Sequence, residues 1–300
     1  MKVAAIGIGS NSVRMLVAQI EGEKAVRLRR DRAGTRLFAG LDAQRRLSGQ
    51  AMESTVAAVA EMADSARAEG VEEIRLFATS ATRDAANKAE FARLLLERAG
   101  LELEVCTGEE EAALSFLGAA GEGYCGVVDI GGGSTEVVMG TDYDIRCAFS
   151  CQMGAVRLSS RLPITSHSDL EQVEALAGDI LEQALREHPT LTLPERWTGT
   201  GGTFTTLGAM IRGVHWTDRT YMHGTVLPIG EIERFARELA DMSVEERKRI
   251  PGLQPNRADI IVHGICILLA VMKRLGMREI VVSENGNLDG YIRARYRVRW

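Results

Sequence analysis

"GVVDIGGGSTEVVMG", residues 126–140, has a counterpart near the start of the chain, "AAIGIGSNSVRMLVA", residues 4–18. Each stretch consists of an apolar strand, a glycine-rich turn with hydroxyl side chains, and a second apolar strand. The repeat predicts that the chain contains two structurally related halves. The copies differ at one informative position, because Asp129 in the second copy corresponds to Gly7 in the first.

The length of the chain agrees with two halves. Three hundred residues exceed the usual size of a single hydrophobic core, so we expect two domains, at residues 1–122 and 123–300. The helix expected at the end of the second range can pack back on the first domain. No apolar run approaches the roughly 18 residues of a membrane span, and strand-like sequence from Val3 leaves no room for a signal peptide.

The five cysteines are odd in number and form no CxxC pair. This pattern argues against a disulfide framework or a zinc site, and we expect unpaired thiols in a protein of the reducing cytoplasm. The net charge of −5 provides no overall attraction to nucleic acid or to anionic membranes. Neither is therefore an expected partner.

The segment "RLRRDRAGTR", residues 27–36, is locally basic, with Arg27, Arg29, Arg30, Arg32 and Arg36. One interpretation is a strand edge that its charges protect from pairing with other chains. The other is a patch that receives a polyanion. The composition of the segment is consistent with both.

Turn and capping signals predict the elements of the first half. They are strands at about 3–8, 12–20, 24–30, 73–81 and 103–106, a helix from the Ser48 cap to Gly70, a helix over 87–100 with Asn87 as cap, and a helix over 107–120 with a Thr107/Glu110 capping box. After residues 121–123 the pattern restarts with three strands. Later elements are helices near 168–187 with Ser168 as cap, 203–212, 229–240 and 256–275, strands near 195–199 and 279–283, and a terminal helix. Each half is therefore an α/β unit with a mixed sheet, and a cleft between two such units is a common place for a ligand.

Three glycine turns look suited to an oxyanion, because glycines let the backbone approach closely and turn its N–H groups outward. The candidate phosphate-binding residues are Gly9, Ser10, Asn11 and Ser12; Gly131, Gly132, Gly133, Ser134 and Thr135; and Gly201, Gly202 and Thr203. A single turn of this kind can also be a hairpin without a ligand, but three repeat the theme. Asp129, at a strand end, could hold a hydrated divalent cation that offsets phosphate charge.

The segment "TGEEEA", residues 107–112, places three carboxylates in the first turn of a helix. Acidic residues are favoured there by the helix dipole, and Glu110 already completes the capping box. Only Glu111 stands outside that role. If burial raised its pKa, it could act as a general base for water.

Nine motifs follow one another at the spacing of a known family. They are "AIGIGSNSVRMLVA", "ATSATRDAAN", "GEEEAALSFLGA", "VDIGGGSTEVV", "SCQMGAVRL", "GTGGTFTTLGAM", "MSVEERKRIPGL", "NRADIIVHGICIL" and "VSENGNLDGYI". Over essentially its whole length, the chain resembles the short, two-domain members of the exopolyphosphatase / guanosine pentaphosphate phosphohydrolase (Ppx/GppA) family. The resemblance implies an α/β, duplicated ribonuclease-H-like fold, of the actin-like and sugar-kinase-like ATPase type, with two domains around a cleft.

The same resemblance implies hydrolysis of a terminal phosphoanhydride with release of orthophosphate. By motif, Glu111 matches the glutamate that activates water, and Arg83 an arginine that faces the phosphates. Asp129 and Glu136 match acidic residues around Mg²⁺, for which Mn²⁺ is an alternative. Arg14 and Arg257 resemble positions that bind guanosine tetraphosphate in some members, and a homodimer is a further expectation.

Two motifs depart from the family pattern. The first motif normally begins with an aspartate where this chain has Gly7, and a Gly-Leu-Arg-Glu-Gly motif corresponds here to "GNLDG", with Leu288 in place of the arginine. Three functions stay open: a Mg²⁺-dependent exopolyphosphatase, a guanosine pentaphosphate phosphohydrolase, or a weakened enzyme that senses polyphosphate or an alarmone. The departures favour the sensor, whereas the intact "EEEA" and "DIGGGSTE" favour an enzyme.

Overall fold

A computed structural model describes residues 1–142, 144–188 and 190–300. The chain divides into two compact units: an N-terminal unit of residues 1–118 and 287–300, and a C-terminal unit of residues 119–286. These units differ from the two ranges expected from the sequence chiefly in residues 287–300, which pack with the N-terminal unit.

The first half of the chain contains the elements β1 (Lys2–Ile8), β2 (Ser12–Glu21), β3 (Lys24–Gly34), α1 (Gly49–Ala68), β4 (Glu73–Ala78), α2 (Ser80–Asp84), α3 (Lys88–Ala99), β5 (Leu103–Val105) and α4 (Gly108–Ala119). The second half contains β6 (Cys125–Ile130), β7 (Thr135–Thr141), β8 (Asp144–Cys151), α5 (Ala155–Arg161), α6 (Leu170–Arg186), β9 (Trp197–Thr200), α7 (Gly202–Arg212), α8 (Arg219–Met222), β10 (Val226–Pro228), α9 (Ile229–Ala240), α10 (Val244–Arg247), α11 (Ile261–Arg274), β11 (Glu279–Val282) and α12 (Asn287–Tyr296).

Each unit is built on one mixed sheet, and the two sheets share one strand order. In the described residues the N-terminal sheet runs β3-β2-β1-β4-β5 and the C-terminal sheet runs β8-β7-β6-β9-β11-β10. The first three strands of each order are antiparallel, and the next two are parallel to the central strand. The second sheet adds β10 as an antiparallel edge. This order confirms the predicted α/β, duplicated ribonuclease-H-like fold.

The N-terminal sheet has an apolar layer on both faces. Because side chains alternate along a strand, β1 directs Ala4 and Ile6 to one cluster and Val3 and Ala5 to another. Helices α1 and α3 cover the first face, and α12 covers the second. On the second face the Phe77 ring stacks on the Tyr291 ring of α12, with the ring centroids 4.6 Å apart.

The core of the C-terminal unit surrounds α11. Every residue from Ile261 to Met272 is buried, so this part of the helix is enclosed on all sides and lies inside the unit. Helices α5, α6 and α9 pack around it. Among the described residues no helix is both long and apolar enough to cross a membrane.

Several predicted helix ends are confirmed. The Ser48 side chain accepts a hydrogen bond from the Ala51 amide at the start of α1, and Gly70 and Gly100 take the left-handed conformation after α1 and α3. The Thr107/Glu110 capping box also forms, with N–O distances of 2.8 and 3.1 Å. These signals are local, and tertiary contacts do not override them.

One local prediction is confirmed in part and two are wrong. Asn87 is the N-cap residue of α3, as predicted, but its side chain makes no capping hydrogen bond, because it bonds the backbone N–H and carbonyl of Leu47. Ser168 does not start α6, because the Asp169 carboxylate is the stronger acceptor and closes a capping box with Ser166. The strand expected over 73–81 ends at Ala78, and α2 follows.

The five cysteine thiols are all buried and unpaired, as expected. Burial is the main cause that raises the pKa of Cys106, Cys151 and Cys266 to about 12. These thiols are therefore protonated at neutral pH and act as small apolar side chains.

Most of the basic segment serves packing within the N-terminal unit. Arg27 and Arg30 both bond Asp289 Oδ1, at 2.7 and 2.6 Å, and this carboxylate is fully buried. Arg29 pairs with Asp31 and Glu69. These three arginines therefore attach β3 to α12 and to neighbouring acids, which favours a structural role for them over a polyanion track.

A buried arginine organises the segment between α9 and α11. Arg247 is 4% exposed and donates to the carbonyls of Leu239, Ala240 and Ala258, at 2.7, 3.3 and 3.2 Å. We expect Arg247→Met to lower the free energy of unfolding by about 3 kcal/mol, because three carbonyls lose their donor. Urea unfolding measures this, with the exposed Arg249→Met as matched control. Equal midpoints for the two variants would contradict the prediction.

Candidate active site

In the N-terminal unit, the candidate residues follow the carboxyl ends of three parallel strands. The Thr79 amide donates to the Ile8 carbonyl at 3.1 Å, and the Cys106 amide donates to the Ala78 carbonyl at 2.9 Å. The segments after β1, β4 and β5 therefore lie side by side. This edge of an open α/β sheet is where ligands commonly bind.

A buried ion pair lies at this edge. Arg83 Nη1 donates to Glu111 Oε2 at 2.9 Å and to the Cys106 carbonyl at 3.1 Å. Glu111 is 6% exposed, and Arg83 Nη2 is buried without a hydrogen-bond partner among the described residues. Two hydrogen bonds from Nη1 hold the guanidinium, and Nη2 keeps its donors. Such a guanidinium is suited to bind a further acceptor, such as a phosphate oxygen.

The two glutamates that precede Glu111 in the sequence differ from it in exposure. Glu109 and Glu110 are exposed, and Glu110 closes the capping box. The helix-terminus explanation therefore accounts for those two, and only Glu111 is directed into the protein. The short α2, which replaces the end of the predicted strand, carries the arginine that meets it.

The first glycine turn is held by its carbonyl groups. The Gly9 amide closes the hairpin on the Ser12 carbonyl at 3.0 Å. The Ser10 carbonyl accepts from the Phe38 amide, and the Asn11 carbonyl accepts from the amides of Thr35 and Arg36. Because the two ends of a trans peptide point in opposite directions, the Asn11 amide faces away from this clamp.

The second glycine turn repeats the arrangement. The Gly131 amide closes the hairpin on the Ser134 carbonyl at 3.0 Å, as Gly9 does in the first turn. The Gly131 carbonyl accepts from Ala155, and the Gly132 carbonyl accepts from the first turn of α5. The amides of Gly132 and Gly133 therefore point away from α5, and neither bonds another described residue. Outward backbone amides of this kind are hydrogen-bond donors suited to an anion.

Not every predicted ligand in this turn has a group to offer. The Gly131 amide closes the hairpin, and the Thr135 hydroxyl donates to the Met153 carbonyl at 2.5 Å. We therefore assign both residues to the framework of the turn.

Gly154 was not singled out from the sequence. A Cβ there would lie 2.3 Å from the Gly132 carbonyl and 2.4 Å from the Gly133 nitrogen. Only glycine lets α5 approach the turn this closely. The motif "SCQMGAVRL" contained this residue, but nothing local in it shows which backbone the glycine contacts.

Asp129 and Glu136 are direct partners on the antiparallel strands β6 and β7, so their side chains share one face of the sheet. Both are buried, and Glu136 Oε1 accepts from the Ser150 hydroxyl at 2.7 Å. In the described residues no group of three or more histidine, cysteine or acidic side chains could hold a metal. Two carboxylates fit Mg²⁺, which keeps several waters and takes substrate oxygens for its remaining positions.

The third glycine turn reaches Asp129 and Arg257. Gly201 has φ of 97°, and a Cβ on it would lie 2.8 Å from Asp129 Oδ1. A Cβ on Gly202 would lie 1.7 Å from the Arg257 guanidinium carbon, so that side chain lies directly on the turn. Thr203 packs against Gly264 of α11. The second and third turns therefore meet around Asp129 within the C-terminal unit.

The two departures from the family pattern contact one apolar surface. A Cβ on Gly7 would lie 3.0 Å from the Phe77 ring and 3.4 Å from Leu288. Gly7 also faces Arg14 across the β1–β2 pair, and Arg14 Nη2 donates to Asn287 Oδ1 at 3.0 Å. Position 7 thus has an apolar lining where the family pattern has an acid.

Comparison with known proteins identifies the family. The sequence pattern of the Ppx/GppA phosphatase family matches residues 16–295. Exopolyphosphatase 2 of Mycobacterium tuberculosis is 34% identical, over 96% of this chain and 97% of that protein. The crystal structure of the Aquifex aeolicus family member has a TM-score of 0.82 and 30% identity, over 99% of this chain and 98% of that one.

A Cytophaga hutchinsonii exopolyphosphatase shares the fold, with a TM-score of 0.89 at 23% identity over 100% of this chain and 99% of that one. The resemblance inferred from the nine motifs is confirmed by the match over nearly the whole chain. This chain therefore belongs to the Ppx/GppA phosphatase family and is a phosphoanhydride hydrolase.

Proposed function

We propose that the protein is a Mg²⁺-dependent exopolyphosphatase, which hydrolyses the terminal phosphoanhydride of inorganic polyphosphate and releases orthophosphate. The observation that carries this proposal is the buried pair of Glu111 and Arg83. The pair joins a carboxylate that can accept a proton to a cation that can receive a phosphate oxygen. The name of the M. tuberculosis relative supports the choice of substrate.

In this proposal Glu111 is the general base. Arg83 Nη1 bonds its Oε2 and fixes the orientation of the carboxylate, which is the group that accepts a proton from water. The water oxygen attacks the terminal phosphorus, and the bond to the bridging oxygen breaks. The products are orthophosphate and a chain shorter by one phosphate.

Arg83 and the glycine turns bind the phosphate oxygens. Two bonds fix Arg83, so Nη2 can contact an oxygen without an ordering cost for the side chain. The outward amides of Gly132 and Gly133 provide further donors. Phosphoryl transfer depends chiefly on positioning and on neutralisation of charge, which backbone donors and a guanidinium can supply.

Asp129 and Glu136 would hold the cation. When bound, Mg²⁺ offsets phosphate charge and orients the transferred group. We place both protein ligands on β6 and β7, where the two carboxylates face each other across the strand pair. The proposed site then depends on Asp129 more strongly than a site with a third acid would.

The test is orthophosphate release from long-chain polyphosphate, with Mg²⁺ and with the metal removed by EDTA. We expect release that needs the metal, and we expect Asp129→Asn to require a much higher Mg²⁺ concentration. The exposed Asp144→Asn is the matched control and should behave as the unmodified protein.

Guanosine pentaphosphate in the same assay distinguishes the alternatives. Faster release from the nucleotide than from polyphosphate would overturn the proposal in favour of the phosphohydrolase, for which Arg14 and Arg257 would be the candidate nucleotide contacts. Binding of polyphosphate without release would identify the sensor.

A further inference from the structure

Arg157 holds the second glycine turn in a way that neither its sequence motif nor the family comparison assigns. Its Nε donates to the Gly133 carbonyl at 2.6 Å, and its own amide donates to the Gly132 carbonyl at 3.0 Å. We infer that Arg157 is a positioning residue of the phosphate site, which holds the Ser134 amide toward the substrate. The inference rests on the proposed function.

The geometry follows from three successive peptide groups. The carbonyls of Gly131, Gly132 and Gly133 all bond α5, the first two through backbone amides and the third through the Arg157 side chain. No peptide bond in the described chain is cis, so each following amide points away from α5. The turn therefore presents the amides of Gly132, Gly133 and Ser134 on one side.

The third of these amides is the one that a side chain controls. The Ser134 amide bonds no other described residue, so it is available to a ligand. Without the Arg157 Nε donor, the Gly133–Ser134 peptide would have no clamp on its carbonyl and could rotate. Glycine at position 133 makes such a rotation easy, because it tolerates a wide range of backbone angles.

Arg157 is itself held firmly. It lies in the first turn of α5, where Gly154 brings the helix into contact with the turn, and its side chain is half-buried. The donor and the acceptor thus belong to two segments already fixed to each other. The Nε bond adds the last constraint of the clamp.

Three substitutions of Arg157 separate the donor from the charge. Glutamine places its Nε2 donor the same number of bonds from Cα as the arginine Nε, so Arg157→Gln keeps the donor and removes the charge. Arg157→Met keeps the length and removes both. Lysine keeps the charge but has no donor at that atom, and Arg161→Met, at an exposed position of the same helix, is the matched control.

The experiment measures kcat and KM for orthophosphate release from polyphosphate and calorimetric binding of tripolyphosphate, with thermal unfolding of each variant. We expect Arg157→Met to lower kcat/KM and the affinity for tripolyphosphate about tenfold, the effect of one hydrogen bond. Arg157→Gln should stay within about threefold of the unmodified protein. Arg161→Met should be unchanged.

Equal losses in Arg157→Gln and Arg157→Met would overturn the inference and assign the effect to charge. If Arg157→Met does not fold, the comparison of Gln with Lys replaces it, and a Lys variant as active as Gln would also overturn the inference. An unmodified protein that neither binds nor hydrolyses polyphosphate would instead overturn the proposed function. The two failures are therefore distinguishable.

Discussion

Glu111→Gln is expected to lower the rate of orthophosphate release about a thousandfold, within the range that general-base catalysis contributes. The amide is nearly isosteric and can still accept a hydrogen bond from Arg83, so the local structure should persist. The amide cannot take a proton from water at neutral pH, which removes the proposed base. The measurement is kcat with saturating polyphosphate and Mg²⁺.

Glu110→Gln is the matched control, because it lies next in sequence and is exposed. Glutamine can maintain the capping box with Thr107, so we expect activity within about twofold and a stability change below about 1 kcal/mol. If Glu111→Gln retained a tenth of the activity while Glu110→Gln lost it, the assignment of the base would be wrong.

Gly154→Ala is expected to lower kcat/KM about a hundredfold, the cost of misplacing a binding group by about 1 Å. The new Cβ would lie 2.3 Å from the Gly132 carbonyl, and a backbone cannot yield as a flexible side chain can. The turn must therefore shift, and its outward amides shift with it. We also expect a loss of about 2 kcal/mol in the free energy of unfolding, from overpacking.

Gly230→Ala provides the matched control for this substitution. Gly230 lies in α9, and a Cβ there would meet no atom within 4 Å. Alanine in a helix should leave activity unchanged and raise stability by about 0.5–1 kcal/mol. Activity assays and urea unfolding of the same variants separate the effect on kcat/KM from the effect on the free energy of unfolding. A fully active Gly154→Ala would show that the turn tolerates displacement.

Much of the fold could be predicted because its signals are local. The strand–turn–strand repeat at residues 4–18 and 126–140 predicted two related sheets, since alternating apolar residues and glycine turns act within a few positions of the chain. Ser48, Gly70 and Thr107 marked helix ends for the same reason. Glu111 could be singled out because its neighbour Glu110 already had a local partner, and its assignment as candidate base came from the family resemblance.

Two of the predictions that failed wholly or in part depend on residues distant in sequence. Asn87 bonds Leu47 instead of its own helix, and the end of β4 gives way to α2, which carries Arg83 to Glu111. The departure at Gly7 was visible in the sequence, but only the structure shows that a Cβ there would lie against Phe77 and Leu288. Each of these outcomes joins segments that no periodicity connects.

The sequence thus specified the two sheets, the positions of the glycine turns and the candidate base, because hydrophobic alternation, glycine turns and capping residues act locally. The tertiary structure alone decided which backbone groups of the second turn point away from α5. The amides of Gly132, Gly133 and Ser134 point outward because α5, Gly154 and Arg157 occupy the carbonyl side. The direction of a peptide group depends on what bonds its other end, and for the Gly133 carbonyl that partner lies 24 residues away along the chain.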